Sequence, residues 1–382
     1  MAATPPLVPS PLPRRWVVML GLAVACGLAA LALGALTLLV LGCPRWGLRR
    51  WSAARSRFMA RTEKPLFRIA YSLYAKTRLG YLFHKKLLKR TRELYPTGHS
   101  IVCPMIINGL KILPVPILSD NYSYLIIDVA SSLAVAIDPA DPEVIQSCLE
   151  EEGASLAAIL TTHKHWDHSG GNKVLKKIHK TCRIYGSTTD NIPALTDPIM
   201  DKETIEVGNL RFQALFTPGH TVGHMIYVLD GEPYNSPACL FSGDLVFLSG
   251  CGRIFEGSAS LMLSSLDVVG TLGDETLLWP GHEYAQDNLM FAASVEPNNS
   301  AIFTKLEWVL QQRHLNQCTC PSTIGEEKEY NPFLRTHSTI LHDALGVERE
   351  PSEDLTLFRS RVLQEIMKNK HICVKSRGIY CK

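Results

Sequence analysis

Between Thr161 and Asn172 the chain reads TTHKHWDHSGGN, which places His163, His165, Asp167 and His168 within six residues. Three imidazoles and a carboxylate are costly to bury without partners, so this stretch, following the apolar run LAAIL, is poor core material. His163 and His165 are two residues apart; in an extended turn they point to the same side and can share one metal ion. Asp167 and His168 follow at once and can point at a second position. Downstream, His220 stands in TPGHT, Asp244 in SGD and His282 in PGHE. Imidazole and carboxylate ligands without thiolate suit zinc, iron or manganese better than copper(I) or an iron–sulfur cluster. An open catalytic ion usually takes about three protein ligands and a water, so this set is too large for one. Two divalent ions sharing a carboxylate use every member. His163, His165 and His220 then serve the first ion, Asp167, His168 and His282 the second, and Asp244 bridges them.

Two cations about 3.5–4 Å apart can hold a bridging water, lower its pKa toward about 7 and polarise a carbonyl. The same charges stabilise a developing oxyanion. A thioester suits such a centre, because its thiolate leaves without a strong general acid. Asp167, which could also orient the nucleophile, and Asp244 are the candidate catalytic residues.

These ligands need a rigid frame. Short β-type runs begin near residue 108: KILPVPIL, YSYLIID, LAVAID, LAAILTT, CRIYG, LRFQALFT, MIYVLD, CLFSGDLVFL and TLLWPG, each bounded by Gly, Pro, Asp or Asn. Helical stretches interleave, for example at 141–151 and 172–180, which predicts a layered α/β domain. The ligand motifs all fall at predicted strand ends, where a sheet can hold loops in fixed positions. Gly170, Gly171, Gly219, Gly243 and Gly281 stand beside them, as tight turns and close backbone approach require.

THKHWDH, followed by single His, Asp and His at these intervals, resembles the dinuclear site of the metallo-β-lactamase superfamily. GCGRIFEG, GHEYAQDNLMFA and YNPFLR resemble glyoxalase II (hydroxyacylglutathione hydrolase) more narrowly. YSLYAKTRLGYLF, LSDNYSYLIID and CTCPST are similar to a membrane-anchored branch of that family. The resemblance implies an αββα sandwich with a C-terminal helical domain, two zinc or iron-type ions, and hydrolysis of glutathione thioesters. In that family a lysine and a tyrosine after the GCG turn help hold glutathione; Arg253 and Phe255 occupy those positions. Tyr284 matches the family's other tyrosine, and Lys370 one member of a C-terminal basic pair whose second position holds Met367. A lost phenol and a lost cation weaken the expected grip on glutathione, each charged hydrogen bond being worth about 1.5–3 kcal/mol. Two other readings remain. A persulfide dioxygenase of the same fold would use one iron and leave His168 and His282 without a ligand role. A membrane-anchored, metal-containing scaffold with weak turnover would tolerate the altered residues 253 and 255.

The rest of the chain sets the context. Its 382 residues carry a net charge of +3, which argues against a nucleic-acid partner, since such a domain is usually strongly basic. The 11 cysteines lack the spacing of a disulfide framework. Trp16 to Cys43 contains no charged residue and exceeds the ~20 apolar residues that span a bilayer, predicting a single transmembrane helix. Arg14 and Arg15 precede it, whereas Arg45, Arg49, Arg50, Arg55, Arg57, Arg61 and Lys64 follow, so the catalytic domain is expected to face the cytosol. Residues 65–95 continue basic and periodic, with Leu66, Ile69, Ala70, Leu73 and Tyr74 on one expected apolar face. The expected organisation is a tail (1–15), a transmembrane helix (16–43), a basic amphipathic juxtamembrane region (44–107), a catalytic domain (108–285) and a helical substrate-binding domain (286–382). Asn121 and Asn298 lie in N-glycosylation sequons.

Overall fold

The strands sort their side chains with a period of two. In β3 (Asn121–Asp128), Tyr122, Tyr124 and Ile126 enter one buried cluster while Leu125 and Ile127 enter another. Apolar groups on both faces mean that this strand is covered twice, which explains why YSYLIID reads as a nearly continuous apolar run. A computed structural model describes residues 69–75 and 77–376. The proposed span 16–43 lies outside them; among the described residues no helix is long and apolar enough to cross a membrane.

Tyr71–Lys382 forms one compact unit built on two sheets. The first runs in sequential order β1 (Met105–Ile107), β2 (Leu110–Ile117), β3, β4 (Leu133–Ile137), β5 (Ser155–Leu160), β6 (Arg183–Gly186) and β7 (Asp197–Pro198). It is antiparallel through β4 and parallel from β4 to β7. The second contains β8 (Thr204–Val207), β9 (Leu210–Phe216), β10 (Met225–Leu229), β11 (Cys239–Gly243), β14 (Leu277–Pro280) and β15 (Ser322–Thr323), in the order β15-β14-β11-β10-β9-β8. A small hairpin, β12 (Val246–Phe247) with β13 (Gly250–Cys251), stands between β11 and β14 in the chain.

Three cores make four layers. Between the sheets, Tyr122, Tyr124, Phe212, Tyr227, Phe241 and Trp279 pack together. Helices Pro142–Glu152 and Asn172–Ile178 cover the outer face of the first sheet through Ile145, Leu149 and Leu175. On the outer face of the second, helices Ala259–Gly270, Ala285–Val295 and Leu355–Ser376 pack around Leu240 and Leu278. The architecture is therefore mixed α/β, a sheet-on-sheet sandwich with helices outside and a helical C-terminal region. Every β run named from sequence falls on an observed strand. The very short β1, β7 and β15 carry too few residues for a periodic signal.

Helix Arg78–Leu94 buries Gly80, His84, Leu88 and Thr91, and His84 Nε2 donates to the Ala140 carbonyl at 3.1 Å. Its opposite face exposes Leu79, Leu82 and Phe83. In the helical stretch 71–75, Tyr71 and Tyr74 turn toward the ligand cluster while Leu73 stays half exposed. The expected grouping of Leu73 with Tyr74 on one apolar face does not hold.

Candidate metal centre

The ligand motifs converge because loops leave the two sheets at the same end of the sandwich. Asp138 follows β4, His163 to His168 follow β5, His220 follows β9, Asp244 follows β11 and His282 follows β14. His163 and His168 are fully buried, and His165, His220, Asp244 and His282 are nearly so. Only Asp167 is appreciably open, its side chain 26% exposed, which marks the mouth.

Two sets of atoms gather there. In the first, His163 Nε2 and His220 Nε2 lie 2.9 and 3.1 Å from His165 Nδ1, and Asp244 Oδ2 lies 3.3 Å from His220 Nε2. In the second, His168 Nε2 and His282 Nε2 are 3.3 Å apart and each is 3.3 Å from Asp244 Oδ1. Asp167 Oδ2 completes it at 3.8 Å from both nitrogens. The structure brings His163, His165, His220 and Asp244 together, and beside them Asp167, His168 and His282, while Asp138, His163 and His168 also converge; one Asp244 oxygen lies toward each side.

The outer edges of the rings show what the inner edges are for. His168 Nδ1 meets Asp138 Oδ2 at 2.9 Å, His282 Nδ1 meets Asp120 Oδ1 at 2.9 Å, and His220 Nδ1 meets the Arg253 carbonyl at 2.8 Å. A carboxylate or carbonyl oxygen only accepts, so each Nδ1 carries a proton and each Nε2 is the nitrogen left to offer a lone pair to a cation. Thr162 Oγ1 donates to Asp138 Oδ2 at 2.6 Å and so accepts from His163 Nδ1 at 3.0 Å. Asp244 Oδ1 is buried without a hydrogen-bond partner. Converging ring nitrogens around an orphaned carboxylate oxygen fit cations, and outer partners of this kind orient metal-bound histidines. The cluster is suited to two divalent metal ions.

Without a cation the second set holds protons where the first does not. Burial and neighbouring imidazoles hold His163 well below the ordinary histidine value and His165 down at about 3. Burial also lowers His282, but Asp244 and Asp120 outweigh it and lift the ring to about 10. His168 is raised in the same way by Asp244 and Asp138 against its burial. Protons on the second set thus balance Asp244 until a cation replaces them.

A metallo-β-lactamase superfamily profile matches residues 120–282, and a hydroxyacylglutathione hydrolase C-terminus profile matches 283–370. A cytoplasmic hydroxyacylglutathione hydrolase of Arabidopsis thaliana is 43% identical over 254 residues, 66% of this chain and 98% of that protein. The chain belongs to the hydroxyacylglutathione hydrolase family. Among solved structures, a metallo-β-lactamase from Staphylococcus aureus is similar with 24% identity and a TM-score of 0.45, covering 66% of this chain and 67% of that one. ETHE1 from Myxococcus xanthus is similar at 25% identity and a TM-score of 0.44, covering 72% and 99%. Neither adds to the assignment.

Relative to that family's motifs, the residues around the mouth divide. Phe255 sets its ring edge-on to His165 and His220, with centroids 5.3 and 5.1 Å away. Tyr284 stacks on His282 at 4.7 Å. Arg253 is exposed and holds His220 through its backbone. Lys370 sits 5.3 Å over the Phe333 ring and close enough to Cys251 to oppose the burial that pushes this thiol up to about 12. Met367 packs against the second sheet's helical core. Phe255 has no hydroxyl, and the phenol beside it comes from Tyr71, stacked on it at 4.9 Å.

Several residues of the centre escaped the sequence reading. Asp138, Asp120 and Thr162 orient ligands; an aspartate ending LAVAID was a legible hint. Asn121 Nδ2 donates to Asp167 Oδ2 at 3.2 Å. His224 Nε2 accepts from the Asp244 backbone N–H at 3.2 Å. Asp190 accepts from Lys164 N, Thr221 Oγ1 and Gly223 N at 2.9, 2.7 and 3.0 Å, which ties the His165 loop to the His220 loop. Gly281 has a steric reason: a Cβ there would come within 2.7 Å of Asp244 Oδ1.

Proposed function

We propose that this chain hydrolyses a thioester, of the hydroxyacylglutathione type, at a centre of two divalent ions, zinc being best suited. The observation that carries the reading is Asp244, whose two oxygens each face a separate set of inward-turned ring nitrogens at 3.3 Å. His163, His165 and His220 would hold one ion, Asp167, His168 and His282 the other, with Asp244 shared. Two ions so held supply a water of lowered pKa and polarisation of the thioester carbonyl. The protein's own part is orientation. Asp138, Asp120, Thr162 and the Arg253 carbonyl fix the ring tautomers, and Asn121 aims Asp167. Tyr284 and Phe255 wall the mouth, while Arg253 offers a guanidinium for a substrate carboxylate and Lys370 a second cation near the same turn. A mononuclear centre would leave Asp167, His168 and His282 converging on nothing, which disfavours a dioxygenase.

The decisive measurement is hydrolysis of S-D-lactoylglutathione by the zinc-loaded full chain beside Asp244→Ala. Turnover that the variant loses, together with metal content, is expected; absent turnover with two ions bound would overturn the substrate assignment.

We further infer that residues 16–43 anchor the chain in a membrane and that the hydrolase, divided near 285 from its helical substrate-binding region, faces the cytosol. The uncharged run, the basic residues after it and the exposed Leu79, Leu82 and Phe83 support this. Asn121 is buried and engaged with Asp167, so the exposed Asn298 is the reporter. Glycosidase-sensitive mobility in cells would reverse the orientation, and extraction by alkali would remove the anchor.

A further inference from the structure

Two phenols reach the metal centre from upstream of the superfamily match, which begins at residue 120. Tyr71 Oη lies 3.0 Å from His165 Nε2, across 94 residues of sequence. Tyr74 Oη donates to Asp167 Oδ1 at 3.2 Å. Trp166, inside the ligand motif, clamps this segment by donating from Nε1 to the Tyr74 carbonyl at 2.9 Å. The Tyr71 ring lies parallel to Phe255, within 4°. The segment is therefore docked by an indole hydrogen bond and an aromatic stack, and each hydroxyl lands on a ligand of a different ion set.

The direction of the first bond follows from its partners. His165 Nδ1 is the nitrogen grouped with His163 Nε2 and His220 Nε2, at 2.9 and 3.1 Å. An Nδ1 lone pair facing a cation requires the ring proton on Nε2, so Tyr71 Oη accepts from His165 Nε2–H at 3.0 Å. Among the described residues, carbonyl or carboxylate acceptors serve His168, His220 and His282, and at His165 Nε2 the Tyr71 phenol stands in that place. At Asp167 the Tyr74 bond engages Oδ1 and leaves Oδ2 for the second set.

We propose that Tyr71 and Tyr74 are positioning residues of the dinuclear centre, one for each ion, so that the segment preceding the family-matched region is an integral part of the active site. The proposal rests on the two-ion reading above. Partners that orient metal ligands change metal affinity by about 10–100-fold when removed.

The test uses the full chain and the variants Tyr71→Phe and Tyr74→Phe, with Leu73→Ser, on the exposed side of the same helical turn, as control. Stoichiometry and the two dissociation constants for zinc are measured by competition with a chromophoric chelator, and ligand geometry by the visible spectrum of the cobalt(II)-loaded protein. Tyr71→Phe keeps the Phe255 stack and is expected to weaken the first ion about tenfold; Tyr74→Phe is expected to weaken the second similarly. Leu73→Ser should change neither. Folded phenylalanine variants whose constants and cobalt spectra match the parent would overturn the proposal, even if their melting temperatures fall. A parent chain that binds fewer than two ions would instead overturn the two-ion reading. Absent thioesterase activity with two ions bound would leave the affinity comparison to decide.

Discussion

Asp138→Asn exchanges one atom and should uncouple the second ion from the fold. Asp138 Oδ2 accepts from His168 Nδ1 at 2.9 Å and from Thr162 Oγ1 at 2.6 Å, and Oδ1 accepts from the Thr162 backbone N–H at 2.7 Å. The residue sits at φ 48°, a left-handed conformation that asparagine tolerates well, so the backbone is not the variable. An amide has one acceptor and must choose. If its oxygen stays on Thr162 N, its NH2 group donates to His168 Nδ1, the ring proton moves to Nε2, and the lone pair facing the second set is lost. If the amide turns over, His168 keeps its tautomer but two buried N–H donors face each other, costing about 1–3 kcal/mol of stability. The first arrangement predicts second-ion affinity weakened by about 10–100-fold, which is about 1.4–2.8 kcal/mol, with the first ion unchanged. Chelator competition and urea unfolding, read together, distinguish the two arrangements. Loss in neither measurement would refute the assigned proton on His168 Nδ1. A cycle with His168→Ala sharpens the point, since the Asp138→Asn effect on metal affinity should vanish once the ring is gone.

Away from the centre, Glu327 is fully buried and accepts from Ser249 N, Asn331 Nδ2, Ser322 Oγ and Tyr330 Oη at 2.8–3.0 Å. Glu327→Ala strands the Ser249 N–H, which cannot reverse, while Asn331 Nδ2 keeps the Phe247 and Gly250 carbonyls at 3.3 and 3.2 Å, and should cost about 1–3 kcal/mol. Glu327→Gln should cost less, because its oxygen can serve those donors while the hydroxyls turn round; equal losses in chemical denaturation would contradict this. The metal-free protein should respond to pH in a defined direction. His282 is lifted from its ordinary 6.5 to about 10, and His168 is also raised. A raised histidine contributes stability that is complete below about 6.5 and lost as pH climbs through about 10. Melting temperatures of chelated protein should therefore fall across that window. Zinc-loaded protein, in which the ion replaces those protons, should not show the fall; a parallel decline in both would refute the assignment.

Legibility followed sequence distance. The ligands were readable because four of the seven crowd into THKHWDH and the others carry the same signature of a charged or imidazole side chain at a strand end. Their proposed partition into two sets sharing Asp244 came from counting donors against coordination number. The strands were readable wherever a run was long enough to show two-sided burial, as in β3. What only tertiary structure decided were the interactions that orient those ligands. Asp120 meets His282 across 162 residues and Tyr71 meets His165 across 94; a local pattern contains no term for such pairs. Phe255 illustrates the difference most clearly. Its sequence position predicts a missing phenol, yet the fold stacks Tyr71 against it and returns a hydroxyl to the site from a segment far upstream. Ligand identity follows from side-chain chemistry, which is local, whereas ligand orientation follows from which loops the two sheets bring to one end, and that is a property of the packed chain.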